Sequence, residues 1–576
     1  MYLKLACVWI AATCAAPGAV GADWPQYRAD AARSGYTSEE LPAGLTLQWI
    51  RHARHAPRRA WVGRSLARSR MRFDWAYGVV VADGMCFFGS SADDKVYALD
   101  AATGREKWAF FTGGPVRLAP AVWNGRVYAV SDDGCLYCLS AADGRQIWKL
   151  RAAPAGDLLI GNGRMVSRWA ARGGPAVRPS RASGQATVYF GAGIWPIEGV
   201  YISAVDAASG KVLWCNDNTG ALEIDQPHMV CYSRGGVASQ GYLAVTADHV
   251  IVTTGRSVPA VFDRKTGRLV HFHLSRYGGK TPWGTGGGDA VATDSVFFNS
   301  GMAFDVATGL RYHDVGKRRW WEPFKRDGRV CHGEFLLGDR QVICVTPEGF
   351  VRSEGPAVYG STLTRRTYDA RREEDTGRAT PRLAFVSTVA GKGKHHLERI
   401  DNAPALKDLW SMDVGRQPES LIVAGKHIVA GADRRVFIID RAARKVVWSA
   451  EVDGVVHGLA VAAGRLYAST DRGTIYCFAG NAAGAPRAIQ PRPKASPYPP
   501  DGPAAKAADE VLRRTNIRKG FCLDLACGDG ALAYELAKRT DLSIVGIAPD
   551  AAAAEGVRRK LDAAGVYGLR AAVLVA

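Results

Sequence analysis

Val96-Tyr97-Ala98-Leu99-Asp100-Ala101-Ala102-Thr103-Gly104-Arg105-Glu106-Lys107-Trp108 is the stretch on which the reading turns. It is an apolar, aromatic-bearing strand, then Asp, a polar turn ending in Gly, and a second strand ending in Trp. The phrase returns as Leu136-Tyr137-Cys138-Leu139, Asp143-Gly144 and Trp148, at a spacing of 40 residues. Further copies run Tyr201-Ile202, Asp206, Gly210, Trp214 and Val436-Phe437-Ile438-Ile439-Asp440, Trp448. Weaker ones stand at Val261-Phe262-Asp263, Gly267 and at Phe304-Asp305, Gly309.

A period of ~40 residues built from alternating strands and Gly turns predicts a β-propeller, with one four-stranded blade per unit. The fold class expected is all-β, a propeller of about eight blades. The stretch from Tyr312 to Ile400 is weakly patterned and is read as two or three blades. Leu45-Thr46-Leu47-Gln48-Trp49 is a Trp-ended strand with no blade before it, and the last unit ends at Phe478 with no Trp strand after it. The two halves complete one another, so the ring is expected to close by pairing them, which removes exposed strand edges. Between Arg151 and Ala186 an insertion rich in Gly, Arg and Pro is too irregular for a blade of its own.

Lys4, the apolar run Leu5 to Ala16 and the small residues Val20-Gly21-Ala22 have the order of a secretion signal. Residues 1–22 are read as that signal. The mature chain is expected to be exported, periplasmic or extracellular, with no transmembrane segment. The 12 Cys fall as two in the signal and ten scattered beyond it, whose pairing the sequence leaves open. Cys135 and Cys138 sit inside a strand phrase, where i and i+3 point to opposite faces, so they do not form a zinc knuckle.

The net charge is +19 and unevenly spread. Arg51, Arg54, Arg58, Arg59, Arg64, Arg68, Arg70 and Arg72 fall in one stretch without an acidic residue, and Lys317-Arg318-Arg319-Trp320-Trp321 leads to Lys325-Arg326. Such loops suit a protein partner or an anionic polymer. Export argues against nucleic acid, and a solvated inter-blade loop is the plainer reading.

The phrase Ala98-x-Asp100-xxx-Gly104-xxx-Trp108 resembles the pyrroloquinoline quinone (PQQ) repeat, and Asp23-Trp24-Pro25-Gln26-Tyr27-Arg28 with Arg33-Ser34-Gly35 resembles the opening of exported propellers of that kind. The resemblance covers residues 23–480 and implies a quinoprotein-like ring in which each Trp docks on the next blade. One branch of the family binds PQQ and Ca²⁺ on the axis and oxidises alcohols or sugars, using adjacent cysteines, a calcium-binding Glu and Asn or Asp, and an Asp base. This chain has no Cys-Cys pair. Glu223, Asp225 and Asp289 are the candidate axial carboxylates, but no spacing singles them out as a calcium site, and no metal residues or catalytic residues are assigned. The other branch resembles the scaffold protein of outer-membrane assembly. The sequence favours that second branch, a binding or assembly platform without enzymatic activity, over the PQQ- and calcium-dependent dehydrogenase.

Seven prolines from Pro486 to Pro503 mark residues 481–508 as an extended linker. Residues 509–576 read as a partial α/β, Rossmann-like segment. Its turn Asp524-Leu525-Ala526-Cys527-Gly528-Asp529-Gly530 resembles the first motif of S-adenosylmethionine (SAM) methyltransferases. Asp524, Gly528 and Gly530 match and Ala526 replaces a Gly. By resemblance the turn would cradle the methionine part of SAM. The acidic ribose-binding position past the second strand is Ala548, with Asp550 two residues on. The chain stops at the third strand of this unit, so the segment is expected to be a truncated methyltransferase domain.

Overall fold

The structure, a computed structural model, describes residues 23–61, 71–161, 163–180, 183–225, 232–255, 257–272, 286–299, 302–309, 311–312, 324–326, 329–331, 342–368, 385–386, 396–397, 400–480, 484–490 and 496–576. Residues 1–22, read from the sequence as a secretion signal, lie outside them, as do Arg64, Arg68, Arg70, most of the second basic stretch and parts of the linker.

The opening phrase folds as two strands of an antiparallel sheet ordered Val80–Ala82, Met85–Ser90, Lys95–Asp100 and Glu106–Phe111. The phrase's Asp makes its turn: Asp100 Oδ1 accepts from the amide of Thr103 at 2.8 Å and from its hydroxyl at 2.7 Å. The same bonds recur from Asp206 to Ser209, Asp263 to Thr266 and Asp305 to Thr308. This is the local capture of backbone for which Asp is suited in turns. Four-stranded antiparallel sheets of like plan follow at 121–151, 173–216, 244–271, 290–312 and 343–413, the second of them extended by Gly241–Tyr242 in parallel with its inner strand. Two more share the long strand Lys445–Ala462, whose first half pairs with His427–Asp440 and whose second half pairs with Arg465–Thr470.

The first strands of successive sheets touch one another in chain order, and the second half of Lys445–Ala462 touches Val80–Ala82, so the sheets form a closed ring. Thr46–His52 pairs antiparallel with Thr474–Ala479 and completes the last sheet, as the unpaired ends of the sequence require. Burial grades outward: Val80–Ala82 is buried throughout, whereas Glu106–Phe111 is largely exposed or half-buried. The inner strands are therefore continuously apolar, like any strand covered on both faces.

The phrase's Trp and Gly meet between neighbours. A Cβ on Gly144 would stand 2.6 Å from the Trp108 ring, one on Gly104 2.6 Å from Trp49, one on Gly210 2.8 Å from Trp148 and one on Gly267 2.4 Å from Trp214. Each glycine also has positive φ. Three of these indoles donate to the backbone of the next sheet, Trp49 to Ala101, Trp108 to Ala141 and Trp214 to Arg264. This is the girdle that the repeat resemblance implies.

Residues 24–37 thread across the inner strands in turn. Trp24 bridges Val81, Pro25 accepts from Val122, and the Gln26 side chain both donates to and accepts from Val177. Ala31 accepts from Val245, Ala32 from Ala292, Ser34 from Val345 and Gly35 from Val423. One short segment thus bonds to seven sheets of the ring.

Two features depart from the sequence reading. Part of the insertion 151–186 belongs to a blade after all: Gly173–Pro179 is the inner strand of its sheet, and only the hairpin Leu158–Gly161 with Arg164–Ser167 stands outside. Arg487–Ile489, read as linker, adds a parallel strand outside Thr46–His52. Between 312 and 400 the described residues contribute strands to one four-stranded sheet, with two short hairpins beside it.

Beyond the ring, helix Pro503–Thr515 runs through the 508/509 boundary. It is followed by a parallel sheet of Lys519–Asp524, Asp541–Ala548 and Ala571–Val575 with helices Ala531–Arg539 and Ala551–Ala563 between them. This tail packs on the ring's first sheet. The Tyr567 ring meets Phe111 edge-on with centroids 5.2 Å apart, and Gly568 lies against the backbone of Ala92 and Asp93.

Candidate functional site

Several inner strands are preceded, within a few residues, by a charged side chain, and these carry the polar chemistry of the ring's mouth. Arg117 precedes Ala121–Trp123, Arg172 precedes Gly173–Pro179, Asp289 precedes Ala290–Ala292 and Glu419 precedes Ser420–Ala424. The described residues 53–61 and 71–77, part of the first basic stretch, reach this mouth. Among them, Asp74 accepts from Arg117 Nη1 at 2.9 Å and the Trp61 indole donates to Gln240 Oε1 at 3.2 Å. Trp75 stands edge-on to the His457 ring at 5.2 Å, with the Arg59 guanidinium 4.2 Å from its centroid.

The core of the cluster is a buried network. Arg117 Nε donates to Asp132 Oδ2 at 2.6 Å, and Arg172 Nε and Nη2 donate to the two oxygens of Asp132 at 2.9 Å each. Burial alone would raise the Asp132 carboxyl, but these two guanidinium groups overcome it and hold the pKa below its usual value. Asp74 has one such partner; burial prevails there and pushes its carboxyl up. Buried charges of this kind persist only when paired and hydrogen-bonded.

Asp289 differs from both. Its side chain is open to solvent although the ring surrounds it. Burial among the ring walls raises its pKa, and Arg28, Tyr27, Arg33 and Arg72 pull it back only in part. Beside it Tyr27 lies flat on Tyr242, ring centroids 3.5 Å apart and 7° from parallel. Arg28 and Arg33 sit beneath, their guanidinium groups spent on carbonyls: Arg28 on Leu421 and Ile343, Arg33 on Leu243 and Pro175. Of the three candidate axial carboxylates, the structure thus brings Asp289 to the mouth. Glu223 and Asp225 lie in a separate hairpin, Glu223–Asp225 with Tyr232–Arg234.

Among the described residues no three His, Cys, Asp or Glu side chains converge so as to hold a metal ion. The eight cysteines whose side chains are described are free thiols. Cys135 and Cys138 are both buried in one strand, and burial pushes each thiol up to about 12.

The described arginines of the basic stretch are engaged. Arg51 pairs with Glu106 at 2.7 Å, Arg54 with Asp562 at 3.4 Å, Arg59 with Asp471 at 3.6 Å and Arg72 with Glu419 at 3.6 Å. The sequence treats this stretch as a solvated loop; its pattern gives no sign that the acidic partners are waiting at the mouth of the ring and on the tail.

In the tail, the motif residues gather at one end of the parallel sheet. Asp524 ends its strand, with Oδ1 accepting from the Ala526 amide at 3.3 Å and Oδ2 buried without a partner. Gly528 and Gly530 take φ of 53° and 86°, and Gly530 caps helix Ala531–Arg539. A Cβ on Gly530 would meet Val557 at 2.7 Å, so this glycine serves helix packing. Asp550 is the N-cap of helix Ala551–Ala563, its carboxylate accepting from Ala553 at 2.8 Å.

The sequence profile of the family described as outer membrane protein assembly factor BamB matches residues 53–168 and 162–330. The quinone-dependent alcohol dehydrogenase, dehydrogenase subunit, of Gluconobacter oxydans is 30% identical over 131 residues, 21% of this chain and 16% of that protein. The tetrathionate hydrolase of Acidithiobacillus ferrooxidans is 23% identical over 231 residues, 37% of this chain and 39% of that protein. The matched stretch spans under a fifth of the length of the dehydrogenase subunits. Among solved structures, the quinohemoprotein alcohol dehydrogenase of Comamonas testosteroni superposes with a TM-score of 0.50 at 17% identity, covering 85% of each chain. Repeat phrase, profile match and fold agree: the ring is a β-propeller built from PQQ-type repeats.

Proposed function

We propose that this ring, counted as eight blades, serves an oxidoreductase of the quinone-dependent alcohol dehydrogenase type, with its reaction site at the axial mouth. The observation that carries the reading is Asp289, a carboxylate with a raised pKa, enclosed by the ring yet open to solvent. A general base needs that combination of access and proton affinity. Asp289 would accept the hydroxyl proton of an alcohol, with Tyr27 and Arg28 fixing the charge around it.

The residues present suit the quinone in part. Trp61 and Trp75 bring aromatic faces to the mouth, whereas the Arg117 and Arg172 guanidinium groups are spent on Asp74 and Asp132; bound PQQ would supply a two-electron acceptor there. Calcium does not fit the described residues. It takes six to eight oxygens, whereas Asp74 and Asp132 are bonded to arginine and Glu419 is paired with Arg72. No step is assigned to it.

The similarity to quinone-dependent dehydrogenases favours this reading over the platform that the sequence put first. The engaged arginines weaken the platform further, since they are not free to hold a protein or an anionic polymer. The SAM reading of the tail rests on Asp524, Ala526, Gly528 and Gly530 alone, because Asp550 is committed to its helix cap.

The test is titration of the signal-free protein with PQQ, in calcium and then in chelator, followed by dye-linked oxidation of a primary alcohol. Saturable PQQ binding with alcohol-dependent dye reduction that Asp289→Asn abolishes supports the assignment. Absence of PQQ binding at micromolar protein under both conditions would overturn it.

A further inference from the structure

A second cavity lies away from the axis, where the tail meets the ring, and nothing in the axial site accounts for it. It encloses about 500 Å³ between the first sheet, the closing strand Thr46–His52 and helix Ala551–Ala563. That volume is in the range of small-molecule sites, and junctions between domains are where such sites gather.

The walls are held by ion pairs. Lys95 Nζ donates to Asp562 Oδ1 at 2.6 Å across the junction, Arg54 donates to the Asp562 backbone carbonyl, and Arg51 Nη2 donates to Glu106 Oε2 at 2.7 Å. After these bonds are made, Arg51 Nε, Arg54 Nε and His55 Nε2 remain buried without a partner, as does Asp93 Oδ1. Arg51 is 5% exposed and Asp93 6%. Buried polar atoms are almost always satisfied, so a cluster of orphans around one cavity marks a missing partner. Nitrogen outnumbers oxygen three to one among them. Burial lowers the His55 pKa, so its ring is neutral at pH 7 and can donate to a bound oxyanion. The remaining wall is aromatic, with Tyr77, Phe88 and Phe111.

We propose that this junction binds a small organic acid, its carboxylate or phosphate taking the Nε edges of Arg51 and Arg54 and its apolar body lying on the aromatic wall. Guanidinium Nε–H groups are strong donors to such oxyanions. The ligand would touch both ring and tail and so join them.

The test is calorimetric titration of the signal-free full chain with benzoate and, separately, phenyl phosphate, the tighter of the two naming the head group. Expected is saturable binding of at least one, weakened tenfold or more by Arg51→Gln. Ala109, which lines the cavity from a half-exposed strand position, supplies a control for folding. Ala109→Trp fills the space while leaving every charged side chain in the sequence, and should abolish binding while leaving the melting temperature and PQQ binding unchanged. No saturable binding of either acid, or binding that survives Ala109→Trp, would overturn the proposal.

Discussion

Arg28 Nη1 donates to the carbonyl of Leu421 at 3.1 Å, although 393 residues separate them. The bond joins the segment 24–37 to the inner strand Ser420–Ala424, far along the ring. Arg33 does the same for Leu243 and Pro175. Both arginines are buried, so each works as a multi-pronged hydrogen-bond hub between sheets.

Replacing Arg33 with Ala is expected to cost about 3 kcal/mol or more, because several buried carbonyls would lose a charged donor at once. Urea unfolding followed by tryptophan fluorescence measures it. A loss below about 1 kcal/mol would mean that water replaces the guanidinium.

Gly144 is expected to tolerate no side chain. With φ of 75° and a Cβ position 2.6 Å from the Trp108 ring, Gly144→Ala meets both backbone strain and a clash. A loss of about 2 kcal/mol follows from strain of this kind. Gly464→Ala is the control for φ alone, since its φ is 70° but nothing lies within 4 Å of its Cβ position. Equal losses in the two variants would remove the Trp girdle from the explanation.

For Asp289, activity and stability should respond to pH in opposite senses. As a base it works only when ionised, so kcat/KM should rise with pH along a limb placed above the ordinary Asp range, because burial raises its pKa. The folded state also holds this proton more tightly than the unfolded chain. Its contribution to stability is full at acid pH and is lost as pH rises through the raised pKa. Asp289→Asn should cut kcat by about 10²-fold or more and flatten that part of the stability profile. A pH–rate profile and a set of melts at matched ionic strength would show both; an unchanged rate in the Asn variant rules out the base.

Asp562 is the contact that seats the tail. It accepts from Lys95, whose side chain is 5% exposed, and from Arg54. Asp562→Lys turns an attraction into a repulsion and should raise the rate of proteolytic cleavage between ring and helix Pro503–Thr515 about tenfold, equivalent to ~1.4 kcal/mol of docking. Unchanged cleavage would assign the docking to Tyr567 and Phe111 instead.

What could be read from the sequence was whatever is local or repeated. Asp100, Gly104 and Trp108 give the turn, the close approach and the docking ring within one phrase, and repetition multiplied that signal. Leu45–Trp49 and Phe478 revealed the closure because each lacked its complement. The axial mouth was less legible. Asp289 stood among the candidate carboxylates, but Asp74, Asp132, Arg117 and Arg172 are spread over three sheets and share no spacing. The arginines from Arg51 to Arg72 looked like a solvated run because their partners, Glu106, Asp471, Glu419 and Asp562, are distant in sequence. Likewise Arg28 and Arg33 were visible only as part of a family resemblance. Gly173–Pro179 was hidden in its insertion because Gly173, Gly174 and Pro175 obscure strand alternation.

The threading of residues 24–37 across the inner strands also sets an order in time. The segment is synthesised before the sheets it joins, and its acceptors and donors at Val345, Leu421 and Val423 are made hundreds of residues later. Thr46–His52 waits likewise for Thr474–Ala479. Assembly of the ring is thus governed by contacts of very long sequence separation, which slow folding because chain entropy is spent before they form. Until the later sheets arrive, the segment's bonds to Val345, Leu421 and Val423 stay unmade, and ring closure and the last of the axial stitching become late events of the same folding step.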